Sequence, residues 1–140
     1  MLLKKCPCNQ YDSYEACCKP FHTSPHLVET PIQLVYARYS AFVLKLPHFI
    51  KHTMKEPALK FFDGAHILDS TITWLGISIL REKYPADSSS NCLVDFKITC
   101  SDISSPDDRF CVIETGLFKL IDNQWFYIDA LRISQESSIS

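Results

Sequence analysis

Four of the chain's seven cysteines, Cys6, Cys8, Cys17 and Cys18, fall within thirteen residues near the start of the sequence. A Cys-x-Cys turn brings two thiolates to one point, and an adjacent pair nine residues on can close a tetrahedron. That is the four-coordinate, soft-ligand arrangement that Zn²⁺ takes in structural sites. The surrounding twenty or so residues hold almost no apolar core, so a metal would supply their folding free energy. The reading is a zinc knuckle over residues 1–24, with Cys6, Cys8, Cys17 and Cys18 as ligands. His22, four residues beyond Cys18, is the alternative fourth ligand through an imidazole nitrogen. Lys4, Lys5 and Lys19 flank the cluster and can offset the −2 formal charge of four thiolates around one Zn²⁺.

Disulfides and a redox dithiol are the competing uses of these cysteines. The total is odd, and Met1-Leu2-Leu3-Lys4-Lys5 has no apolar run behind its charges, so a secretory leader is not expected. A thioredoxin-type dithiol would need Cys-x-x-Cys opening a helix after a strand, and that motif is absent from the sequence. Cys92, Cys100 and Cys111 lie in apolar, strand-like runs, where free thiols act as small hydrophobes.

One carboxylate stands out further along. Glu114 lies inside the apolar run from Phe110 to Ile121, where strand alternation places it on one face with Phe110, Val112 and Phe118. A carboxylate on an inward face must be paired or hydrogen-bonded, or its pKa rises toward the range useful to a general acid or base. The plainer expectation is an ion pair with Arg38 that fixes packing. His48, His52 and His66 have no metalloprotease spacing, and the three glycines form no phosphate loop.

The elements that must position these groups follow from periodicity. Thr30, Pro31 and Gln33 make an N-cap, N1 and N3 sequence, and Ile32, Val35, Tyr36, Tyr39, Phe42, Val43 and Leu46 recur along one face of a helix ending before Pro47. A short helix over 47–54 and a third helical stretch after Pro57, carrying Leu59, Phe61, Phe62 and Ile67, follow. After Ser70 the chain alternates as strands: 71–81, a second around Val94, Phe96 and Ile98, then 110–121 and 125–133. The segment 101–109 reads as a turn, and Asp122-Asn123 as a tight reversal. Helices followed by an antiparallel meander make an α+β fold, with one domain over 30–134 that should stand without the metal and a disordered tail over 135–140.

The 140 residues carry a net charge of −2 with acids and bases interspersed, which argues against nucleic-acid binding. No run approaches the length of a membrane-spanning helix, and reduced thiols point to the cytoplasm.

The residues also carry a family resemblance. Cys6-Pro7-Cys8, eight residues and Cys17-Cys18, with Tyr14 between them, resemble the SEC-C zinc motif found at the C-terminus of the SecA translocation ATPase. Pro20-Phe21-His22 and Arg38-Tyr39-Ser40-Ala41-Phe42, with Trp74, Gly76, Val94, Phe96, Glu114, Phe118, Trp125, Tyr127 and Asp129, resemble the YchJ-type family of small bacterial proteins. Where that family has a Gly-Ser-Gly-Lys type loop, this chain has Asn9-Gln10-Tyr11-Asp12. Some relatives carry a second SEC-C motif at the C-terminus, and residues 135–140 contain none.

The resemblance implies a nuclear transport factor two-like cone: about three helices packed on a curved four-stranded antiparallel sheet. Such a cone can enclose a pocket, for which Arg38, Tyr39, Trp74, Glu114, Phe118 and Asp129 are the candidate lining residues. Two functions follow. In the first, the knuckle docks onto an unidentified protein partner, as the SEC-C module does in SecA. In the second, the pocket holds a small apolar ligand or substrate, with Glu114 as the one candidate catalytic group. The first is the expectation, with no enzymatic role assigned.

Overall fold

A computed structural model describes residues 5–85 and 88–137. Its helices begin with α1 (Lys19–Thr23), followed by α2 (Pro31–Val43), whose start follows its sequence signals. Thr30 stays extended and its side chain accepts from Gln33 N at 3.1 Å, while Gln33 Oε1 accepts from Glu29 N at 2.8 Å. The helix ends where Lys45 turns left-handed at φ 58°, and Leu46 N donates to Ala41 O at 2.8 Å.

The helical part then breaks into short pieces, α3 (Pro47–His52) and α4 (Gly64–Leu68), with a 3₁₀ turn at Ala58–Phe61. The single third helix expected after Pro57 does not form. Asp63 takes an extended conformation and caps a new helix by accepting from His66 N at 3.1 Å, so the chain restarts at Gly64. Phe61, expected inside, is 76% exposed.

Four strands complete the chain: β1 (Ile72–Lys83), β2 (Asn91–Asp102), β3 (Ser105–Ile121) and β4 (Gln124–Ser137), paired antiparallel in sequence order. Residues Asp122 and Asn123 both take positive φ, 48° and 66°, as a two-residue hairpin turn between right-twisted strands requires. Two expectations are corrected here. Segment 101–109 is mostly strand, because Asp102 Oδ1 accepts from Ser104 N and Oγ and tightens the reversal to two residues. The polar tail is not disordered from Gln135: β4 continues to Ser137, which pairs with Phe110. Residues 138–140 lie outside the described residues.

Register shifts at Trp74/Gly76 and Ile79/Arg81 insert an extra residue twice in β1, and two more shifts interrupt the β3–β4 ladder. Such bulges bend a sheet and increase its twist, and the concave side they create faces α2. That helix is buried on two sides, not one. Val35, Arg38, Tyr39 and Phe42 look toward the sheet. Leu34, Ala37, Ser40 and Ala41, which are fully buried at 0% exposure, make a second face covered by the cysteine knuckle. Periodicity of large apolar residues missed this second face because its residues are small. Cys6, Cys8 and Cys18 belong to the same packed cluster as Leu34, Ala37 and Ala41, so knuckle and main domain share a core.

Candidate metal centre and ligand cavity

The four cysteine sulfurs converge, all within 4.8 Å of one another. Cys8 Sγ lies 3.4 Å from Cys17 Sγ and 3.6 Å from those of Cys6 and Cys18, and Cys17 to Cys18 is 3.8 Å. Sulfurs bound ~2.3 Å from one tetrahedral ion sit about 3.8 Å apart, whereas a disulfide needs about 2.05 Å. The spacing therefore fits a shared cation. In the metal-free cluster, hydrogen bonding from Cys18 holds the Cys8 thiol down to about 5, while burial pushes Cys17 up to about 12. The hydrogen bond to Cys8, with burial behind it, drives Cys18 higher still. A divalent cation would instead favour the thiolate at each position.

Backbone conformation supports the loop. Asn9 takes φ 64° where its N–H donates to Cys6 O at 2.9 Å, so an asparagine does what the family's glycine would do. Ser40 Oγ, projecting from α2, donates to Cys18 Sγ at 3.2 Å. It is an outer hydrogen bond of the kind that orients a ligand atom.

His22 does not face the sulfurs. Its Nε2 reaches Ala37 O at 2.7 Å, so that nitrogen carries the proton, and Nδ1 accepts from Tyr14 OH at 2.7 Å. Both ring nitrogens are spent, which leaves none for a metal, and burial holds the imidazole below its ordinary pKa. His22 is a brace that ties the knuckle to α2. His22→Ala should keep the metal stoichiometry while destabilising the fold by about 1–3 kcal/mol, the range for two buried hydrogen bonds. Metal analysis beside thermal melts checks this, and metal loss with an intact fold would contradict it.

The second feature is a cavity of about 420 Å³ between α2 and the concave sheet. Most of its wall is apolar, including Val35, Phe42, Ile77, Ile98 and Val112, and its polar groups come from Arg38, Glu114, Tyr39 and Tyr127. Five of the six residues expected to line a pocket, Arg38, Tyr39, Trp74, Glu114 and Phe118, do line this one. Asp129 does not. The register shift at Leu117/Phe118 pairs Asp129 with Leu117, on the face turned away from the cavity. Its charge still reaches Glu114 and adds to the rise in that carboxyl's pKa.

The Arg38–Glu114 ion pair expected from the sequence is absent among the described residues. Arg38 Nη1 donates instead to Ile50 O at 2.9 Å and to Thr53 Oγ1 at 2.8 Å, satisfying a carbonyl at the end of α3. Glu114 accepts from Tyr127 OH at 2.7 Å, and the Tyr127 ring lies 4.6 Å from the guanidinium carbon. Tyr127 thus touches both groups and couples them. Tyr127 reaches the cavity by plain alternation, since Phe118 pairs with Tyr127 and Leu120 with Trp125 in unbroken register. Gly116 makes room for the carboxylate, since a Cβ there would stand 3.2 Å from Glu114 Oε2 and 3.0 Å from Phe118 Cε1.

Burial raises the Glu114 pKa against the opposing pull of Tyr127 and Arg38. The folded state then holds this proton longer than the unfolded state does. Ionising Glu114 costs stability as pH rises from the ordinary carboxylate pKa through the raised one. Glu114→Gln removes that cost, so its melting temperature should match or exceed wild type at pH 7, with the gap closing below about pH 4. A lower melting temperature at pH 7 would show that the ionised carboxylate stabilises the fold.

Comparison with known proteins agrees with this geometry. A family profile described as "YchJ, middle NTF2-like domain" matches residues 30–130. A UPF0225 protein of Vibrio cholerae serotype O1 is 31% identical over 125 residues, covering 89% of this chain and 80% of its own length. A UPF0225 protein of Haemophilus influenzae is 31% identical over 134 residues, covering 91% of this chain and 77% of its own length. Among solved structures, a SEC-C motif containing protein from Psychrobacter arcticus superimposes with a TM-score of 0.74 at 24% identity, over 99% of this chain and 85% of that one. Another, from Rhodopseudomonas palustris, gives 0.75 at 19% identity, over 96% of this chain and 100% of that one.

Proposed function

This chain belongs to the UPF0225 (YchJ) family, a SEC-C-type cysteine knuckle joined to an NTF2-like domain, and from that premise we propose that it is a zinc-braced binding protein for a small, largely apolar molecule. The observation that carries the reading is the cavity: about 420 Å³, walled by apolar side chains, with Arg38, Glu114 and Tyr127 gathered as its polar groups. Small-molecule sites have this make-up and a volume in this range.

The metal in this reading is Zn²⁺ on Cys6, Cys8, Cys17 and Cys18. Four thiolates leave it no open position, so it supplies a crosslink and no reaction chemistry. Its effect on the cavity runs through α2, whose one face meets the knuckle while the other lines the cavity. In this reading the protein works in a reducing compartment, where its thiolates stay available to the metal. Among the described residues no helix is long and apolar enough to cross a membrane.

The test is titration with N-phenyl-1-naphthylamine, a neutral apolar fluorophore. Wild type should enhance its emission saturably, near one probe per chain, and Val112→Trp, which fills the cavity from β3, should abolish the signal at an unchanged fold. No enhancement, or equal enhancement in the filled variant, would overturn the reading.

A protein partner on the knuckle is the second reading. Tyr11, 65% exposed in the loop between the cysteine pairs, favours it. Against it, Tyr14, His22 and Cys18 direct their polar atoms inward, toward one another and α2. Direct binding to an isolated partner that fails for Tyr11→Ala would support it, and unaltered binding would remove Tyr11 as its anchor.

A further inference from the structure

We propose that the cavity selects a monocarboxylate with an apolar body, its carboxylate seated on the free edge of the Arg38 guanidinium. This rests on the cavity being a ligand site and says which chemistry it takes.

Arg38 is only 8% exposed, yet it is half used. A guanidinium carries five N–H donors in a fixed plane. Both hydrogen bonds that Arg38 makes among the described residues come from Nη1, to Ile50 O and Thr53 Oγ1. Nε and Nη2 have no protein partner there. Nor are they sealed off: the one side-chain polar atom both fully buried and unpartnered among the described residues is Gln124 Nε2. Arg38 lines the cavity, the space that the proposal gives to these donors.

The group is also held in place. Besides the two hydrogen bonds, its carbon lies 4.6 Å from the Tyr127 ring and 6.0 Å from the Phe42 ring. Thr53 is locked in turn, donating to Phe49 O and Ile50 O in the last turn of α3. A planar fork fixed at one end and free along the other edge matches the two oxygens of a carboxylate.

Glu114 does not fill this role, because its carboxylate is engaged by Tyr127 OH at 2.7 Å. Burial raises its pKa, and the Tyr127 hydroxyl, not the free edge of Arg38, is its hydrogen-bond partner. The charge count selects the class. Arg38 is the one Lys or Arg on the cavity wall among the described residues, so a phosphate dianion asks for more positive charge than the wall holds, and a monocarboxylate asks for less. The remaining wall, with Val35, Phe42, Ile77, Ile98 and Val112, accepts hydrocarbon.

The experiment compares decanoate, decanol and decylamine by calorimetric titration at neutral pH, on wild type and Val112→Trp. Decanoate should bind wild type at least about tenfold more tightly than decanol, the scale of a charge-assisted bidentate contact. It should not bind the filled variant. In Arg38→Met that preference should collapse toward parity; if this variant fails to fold, ¹³C-carboxyl decanoate on wild type gives the same answer, through a bound pKa below that of the free acid. Equal binding of decanol and decanoate overturns the Arg38 assignment and leaves the apolar cavity standing. Preference for decylamine overturns it in favour of Glu114. Binding that persists in Val112→Trp, or no binding of any probe, overturns the proposal, and the fluorophore titration then tells whether the cavity reading falls with it.

Discussion

Removing the metal, by chelation or by Cys8→Ser, should lower the melting temperature of the entire chain, not of the knuckle alone. The sequence suggested two units, a knuckle over 1–24 and a domain over 30–134 that should stand by itself. The structure joins them through α2. Cys18 Sγ accepts from Ser40 Oγ, His22 Nε2 donates to Ala37 O, and the helix beneath consists of Leu34, Ala37 and Ala41 with no exposure at all. Zinc binding in isolated zinc fingers is worth about 10–16 kcal/mol, an upper bound on what this cluster can contribute. Once the knuckle is released, a whole face of α2 meets water. Far-UV melts of metal-loaded and chelated protein should each show one transition, the second displaced by several degrees or more. An unshifted main transition after complete metal removal would mean that α2 does not depend on its cover.

The other large effect belongs to Arg38. Arg38→Met keeps the bulk and deletes the charge, leaving Thr53 Oγ1 without its donor, Ile50 O with only the Thr53 hydroxyl, and Glu114 without the cation that lowers its pKa. Leaving a buried polar group without its donor costs about 1–3 kcal/mol. Because no direct bridge to Glu114 exists, Glu114→Gln should recover little: a double-mutant cycle should give a coupling below about 1 kcal/mol. Coupling of several kcal/mol would restore the ion pair that the sequence suggested. Chemical denaturation of the two single variants and the double variant measures it.

The cysteine cluster was legible because metal ligation constrains residue type and spacing together. The capped start of α2 and the Asp122-Asn123 reversal were legible because their signals are local, a side-chain oxygen at N-cap and two residues that tolerate positive φ. What could not be read depends on pairs distant in sequence. The bulges in β1 and β3–β4 shift register by a residue, and the shift between Tyr127 and Asp129 sends Asp129 to the far face. Arg38 and Glu114 were each placed on the inward face correctly, yet their partners, Thr53 and Tyr127, come from elements whose docking alternation does not encode. The second face of α2 was hidden for a different reason. Small residues carry little hydrophobic signal, although they are what lets the knuckle approach the helix backbone.

The central claim is that four sulfurs, and no imidazole, hold one zinc ion that fastens the knuckle to α2. Zinc-edge X-ray absorption on the purified protein tests it most directly. The proposal predicts one zinc per chain with a single shell of four sulfurs at about 2.3 Å, unchanged in His22→Ala. A nitrogen or oxygen in that shell, loss of a ligand in His22→Ala, or protein that carries no stoichiometric zinc would contradict it.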